Sequence, residues 1–92
     1  GLGHGIGVCV HEAPPNLSKN AVANTPLKNC QCFTVEPGLY NEYEFGIRLE
    51  NSCYLENGVI KSFSNMCYEK KLVDYSMLTD IEKDWLSKFE VL

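Results

Sequence analysis

An α+β fold is predicted, an antiparallel sheet with a closing C-terminal helix, and three observations predict it. Residues 30–36 read as a strand that ends at Pro37-Gly38, a strong turn signal. Residues 46–55 and 59–63 read as two more, separated by Asn57-Gly58, the dipeptide that favours a tight hairpin. Finally, Ile81, Trp85, Leu86 and Phe89 fall at i, i+4, i+5 and i+8, one apolar helical stripe.

The other segments follow from local chemistry. Glycine alternates with other residues over 1–7, so the backbone there can turn sharply or approach something closely. Residues 8–10, Val-Cys-Val, form a short β-type run. Ala13-Pro14-Pro15-Asn16 is a turn or extended loop, because proline restricts itself and its predecessor. Residues 17–29 are polar and mixed, a connection, and residues 39–45 a loop of extended character. Residues 46–55 make one long strand, with Arg48 and Glu50 two apart and so on one face. Thr79-Asp80-Ile81-Glu82 has the form of a capping box, which starts the helix. Trp85 is expected as a packing anchor.

Composition bounds the function. At 92 residues the chain is at most one domain, and a core this small is marginal by itself. With 45% hydrophobic and 22% charged residues it is ordered rather than disordered. A net charge of −4, with Lys70-Lys71 the only basic cluster, argues against nucleic acid and anionic membrane as partners. No apolar run approaches the roughly 20 residues that span a bilayer. The start has neither Met nor a signal-peptide pattern, so the chain is expected to begin inside a longer protein. Five cysteines without a framework fit a reducing, cytoplasmic setting. Cys30 and Cys32 are expected on one face of a strand as small packing residues.

The chemistry-bearing residues are few. His4 sits among glycines, His11 beside Glu12, Glu36 at a strand end, and Arg48 and Glu50 on one strand. One imidazole with two carboxylates is a plausible set for Mn, Fe, Co or Zn. A carboxylate can also bridge two ions. Two plainer readings compete: a structural or solvated histidine, and a surface ion pair between Arg48 and Glu50. The glycine run is not a dinucleotide loop, since Ile6 or Val8 stands where the last glycine is needed.

Five blocks in order carry a resemblance: Gly3-His4-Gly5-Ile6-Gly7, Val10-His11-Glu12-Ala13-Pro14, Thr34-Val35-Glu36-Pro37-Gly38-Leu39-Tyr40, Phe45-Gly46-Ile47-Arg48-Leu49-Glu50-Asn51, and the tail from Leu78 to Leu86. Together they resemble the end of the catalytic domain of Xaa-Pro aminopeptidases, among the pita-bread metallopeptidases. The resemblance implies that residues 1–92 are a C-terminal fragment of that domain, the C-terminal half of a pita-bread fold. It implies that His4 and Glu36 ligate one metal and that Glu50 bridges two. His11 would contact substrate and stabilise the tetrahedral intermediate, and Arg48 would orient a ligand carboxylate. It further implies two divalent ions, manganese in most members, that activate a water for attack on the bond before a proline at the second position of a peptide. A homodimer is also implied. Two aspartate ligands and a further histidine would lie upstream of His4, outside this chain, so the fragment alone is expected to be inactive. A prolidase or methionine aminopeptidase fragment, and a non-catalytic peptide-binding module of the same fold, remain as alternatives.

Overall fold

In chain order the strands are β1 (Gly3–His4), β2 (Asn16–Leu17), β3 (Cys32–Val35), β4 (Gly38–Asn41), β5 (Phe45–Arg48), β6 (Asn51–Glu56) and β7 (Val59–Ser62). Two 3-10 turns, Lys70–Leu72 and Tyr75–Met77, lead into helix α1 (Asp80–Glu90). These elements come from a computed structural model that describes residues 1–20, 25–64 and 66–90. The fold is α+β, and every strand pairing is antiparallel.

Strand β3 is the organising element. It pairs with β6, and β6 pairs with β7. On its other side lie residues 2–6: Gly5 bridges Phe33, Ile6 N–H donates to the Cys32 carbonyl at 2.9 Å, and Glu36 N–H donates to the Leu2 carbonyl at 2.7 Å. Being flanked on both sides buries β3. Phe33 is wholly inaccessible, and Thr34 and Cys53 are 4% and 5% exposed.

Strand β3 continues into β4, and β5 into β6, as the two arms of one long hairpin. Val35 pairs with Asn51, and Gly38 pairs with Arg48, so the register carries through the gap between them. Inside that gap Pro37 has no N–H to give to the ladder, which interrupts it. Its carbonyl still accepts from Leu49 N–H at 3.1 Å. The single strand expected over 46–55 is therefore two, broken at Leu49-Glu50. The stretch expected as a loop over 39–45 is instead mostly strand, because it pairs across its own turn with residues 45–48.

Local turn and cap chemistry is as the sequence predicts. Asn57 and Gly58 have φ of 51° and 79°, the left-handed pair that a two-residue hairpin turn requires. At α1, Glu82 N–H donates to Thr79 Oγ1 at 3.2 Å and Thr79 N–H donates to Glu82 Oε1 at 3.4 Å, a reciprocal capping box.

Other expectations are corrected. Residues 8–10 form an exposed bend and no strand, because Val8 N–H is taken by the Glu12 carboxylate at 3.0 Å in place of a ladder partner. Asn16, at the end of the expected turn, and Leu17, at the start of the expected connection, are strand paired to β1, and residues 21–24 of that connection lie outside the described residues. Trp85, expected as a buried anchor, is 59% exposed and Ile81 65%, while Phe89 meets Tyr68 at a ring separation of 5.8 Å. The apolar stripe exists, but among the described residues it is left largely exposed. Among the described residues no helix is long and apolar enough to cross a membrane.

The thiols differ from the expected pair as well. Cys30 is exposed with φ of 68°, outside β3, and Cys53 is the buried one. Burial pushes the Cys53 thiol above its usual range, so less of it is the reactive thiolate. Iodoacetamide at neutral pH should therefore label the exposed Cys9, Cys30 and Cys67 well before Cys53, as read by peptide mass spectrometry. Equal labelling of Cys53 would mean that β3 and β6 do not close over it.

Candidate metal centre

The register of β3 brings the candidate ligands together. Carried through the hairpin gap, it sets Glu36 opposite Glu50. On the other flank of β3, His4 lies opposite Thr34, and Glu36 is two residues beyond Thr34 on the same face. Glu36 is thus the diagonal neighbour of His4 and the direct neighbour of Glu50. One carboxylate in the middle meets an imidazole from one side and a second carboxylate from the other. His4, Glu36 and Glu50 each offer a ligand atom within 4.8 Å of the others.

Like charges directly opposed across a ladder destabilise it, so Glu36 facing Glu50 needs positive charge nearby. Arg48 supplies part of it: its Nη2 lies 2.9 Å from Glu50 Oε2. The guanidinium is held protonated above its ordinary range, chiefly by Glu50 and then by its hydrogen bond to Tyr40. Arg48 is 52% exposed and Glu50 36%, so the pair by itself contributes little stability. Its effect is to fix where the Glu50 carboxylate points.

His4 adds the second indication of a cation. Its Nδ1 lies 2.8 Å from the Gly5 carbonyl, which can only accept, so the proton sits on Nδ1. Nε2 then faces Glu36 Oε2, 3.3 Å away, as an ion pair when the ring is protonated and as a lone pair against a carboxylate when it is neutral. Two lone-pair atoms this close are reconciled by a proton or a metal ion between them. A histidine whose other nitrogen is tied to a carbonyl is the usual arrangement of a metal ligand. The donor set of one imidazole and two carboxylates fits a divalent ion of the manganese-to-zinc series.

Thr34 ties the set together, and sequence reasoning gave it no role. Its buried hydroxyl accepts from His4 N–H at 3.1 Å. Its hydrogen bond to Glu36 is the main reason that the Glu36 carboxyl lies below the usual range; burial opposes it, and Glu50, His4 and Arg48 each add a lesser lowering. A depressed carboxyl contributes stability that is full above the unfolded value and is lost as pH falls through the lower folded one. Thr34-x-Glu36 on one strand face was the available signal. Tyr40, which holds Arg48 from β4, was also overlooked, because its partner is eight residues away and only the β4–β5 pairing brings them together.

His11 joins the cluster from the loop after β1. Its ring centroid lies 4.2 Å from that of His4, at 40°. It is exposed and stands beside the three donors without being one of them. All five residues singled out in the sequence thus fall in one cluster.

The pattern of metallopeptidase family M24 matches residues 1–57, the stretch that holds every residue of this cluster. Among individual proteins, the chain is 35% identical to "Aminopeptidase P2" of Arabidopsis thaliana over 97% of its own length and 14% of that relative. It is 37% identical to "Xaa-Pro aminopeptidase 1" of Dictyostelium discoideum over 97% of its length and 16% of the relative's. "Probable Xaa-Pro aminopeptidase P" of Sordaria macrospora is 33% identical, over 96% of this chain and 17% of its own. The chain therefore spans about a sixth of the length of these relatives. The family match and the three converging donors agree: this chain belongs to metallopeptidase family M24.

Proposed function

We propose that the chain is the C-terminal part of the catalytic domain of an Xaa-Pro aminopeptidase, the second half of a pita-bread fold, acting on peptides with proline at the second position. The observation that carries the reading is the meeting of ligand atoms of His4, on β1, and of Glu36 and Glu50, opposed in the gap of the long hairpin, within 4.8 Å of one another. The names of the similar proteins point to the Xaa-Pro bond as the one cleaved.

His4 Nε2 and Glu36 would hold one ion, Glu50 would bridge to a second, and the remaining ligands would come from residues outside this chain. Manganese is the proposed metal, and a cytoplasmic homodimer the proposed setting. When bound, the two ions supply Lewis acidity and an activated water. The residues of this chain do the positioning. Thr34 keeps Glu36 ionised and Gly5 keeps the Nε2 lone pair of His4 free. Arg48, itself held by Tyr40, fixes Glu50. His11 stands at the open side, where an imidazole N–H would stabilise the charge that develops on the scissile carbonyl oxygen.

The test is a substrate panel for the full-length gene product loaded with Mn²⁺. Release of the first residue from Xaa-Pro-containing peptides is expected, with much slower turnover of Xaa-Pro dipeptides and of peptides that begin with Met and lack proline at the second position. Preference for the dipeptide would make it a prolidase, and absence of any peptidase activity would overturn the reading. The 92-residue chain alone is expected to cleave nothing and to bind Mn²⁺ weakly by isothermal titration, because a single imidazole and two carboxylates leave two cations insufficiently neutralised.

A further inference from the structure

The loop that carries His11 is closed by its neighbour. Glu12 N–H donates to the Gly5 carbonyl at 3.0 Å, and Gly5 N–H donates to the Pro15 carbonyl at 2.8 Å, so the chain leaves β1 and returns to it within a few residues. The Glu12 side chain then folds back into the loop and accepts from Val8 N–H at 3.0 Å. Gly7 N–H closes the turn on the Cys9 carbonyl at 3.1 Å. A Cβ at Gly7 would collide with the Glu12 carboxylate, so the glycine makes the space that the carboxylate fills. His11, one residue before Glu12, is thereby brought against His4.

From this geometry we infer that Glu12 is a positioning residue for His11, bracing the loop through the Val8 amide, and that Gly7 is its seat. The inference rests on the reading of His11 as a substrate-contacting residue. Glu12 lies outside the group of donors that could hold a metal, among the described residues. Its carboxylate is spent on backbone, which requires an acceptor oxygen at that place and no charge. An exposed loop without this bond has other conformations open to it, in which the His11 ring would leave its place against His4. Misplacement by about 1 Å is enough to cost on the order of 10²-fold in rate, so a partly populated correct loop should lose roughly tenfold.

The experiment uses the full-length gene product and the variants Glu12→Ala, Glu12→Gln and Gly7→Ala. Glu12→Ala is expected to lower kcat on an Xaa-Pro peptide about tenfold at unchanged metal content and melting temperature. Gly7→Ala should match it, because its methyl expels the carboxylate, and the double variant should lose no more than either single one. Glu12→Gln should recover most of the rate, since its amide oxygen accepts the same hydrogen bond. In a His11→Ala background, Glu12→Ala should have no further effect. A Gln variant as damaged as the Ala variant would overturn the inference, because charge and not the brace would then matter. So would a full additional loss in the His11→Ala background. Hydrogen exchange at the Val8 amide gives a readout that needs no turnover: it should quicken in Glu12→Ala and Gly7→Ala but not in Glu12→Gln. If the wild-type protein cleaved no peptide while exchange behaved in this way, the function reading would fail and the brace would stand. Unchanged exchange in Glu12→Ala would remove the brace whatever the activity.

Discussion

Glu50→Gln in the full-length protein should abolish turnover of Xaa-Pro peptides and lower metal occupancy, measured together by peptidase assay and elemental analysis of the same preparation. Three effects act in one direction. The substitution removes the negative charge from the residue proposed to bridge two cations. It leaves the Arg48 guanidinium, now 2.9 Å from a carboxylate oxygen, facing a neutral amide. It also puts an NH2 group among donors that gather within 4.8 Å, where lone pairs are needed. Loss of an outer hydrogen-bond partner costs roughly 10–100-fold in metal affinity, and loss of a bridging ligand should exceed that. Glu56→Gln is the control: it breaks the 2.8 Å surface pair with Lys61 on β6–β7, well away from the cluster, and should leave turnover as it was. Near-normal activity of Glu50→Gln would remove Glu50 from the site.

His11→Ala should separate rate from metal. Both ions should stay, because His4, Glu36 and Glu50 are untouched, while kcat falls on the order of 10²-fold or more, as for removal of a donor to developing negative charge. The structure sharpens this expectation by placing the His11 ring 4.2 Å from that of His4 yet outside the donor group. The opposite result, metal lost in step with rate, would make His11 a ligand. A variant with both metals and full activity would leave the ring contact without a role.

What the sequence made legible was local. Asn57-Gly58 and the Thr79-to-Glu82 box are readable because each closes a turn or cap within four residues, by backbone preference or by its own hydrogen bonds. The hidden parts depend on partners far along the chain. Nothing near residue 46 says that the strand there must break at Leu49-Glu50, because the cause is Pro37 across the hairpin. Val8 and Val10 favour β structure, and the preference is overridden by a side-chain bond from Glu12. Of the five residues singled out for chemistry, the types and order were visible, but their meeting was not. It arises from β3 being flanked on one side by residues 2–6 and on the other by β6. The stripe of Ile81 and Trp85 was equally visible as a pattern, but among the described residues it stays exposed.

The unbroken register of the long hairpin limits where its length can change. Glu36 faces Glu50 only because equal numbers of residues separate each from the tip at residues 42–44. One residue added between Arg48 and Asn51 would turn every later side chain of β6 to the opposite face, exchanging Cys53 for a neighbour in the core and withdrawing the second carboxylate. Residues inserted at the tip turn nothing over, since both arms keep their pairing. In related chains, insertions and deletions should therefore gather at 42–44, and the interval from Glu36 to Pro37 and from Arg48 to Asn51 should keep a constant length even where its residues differ.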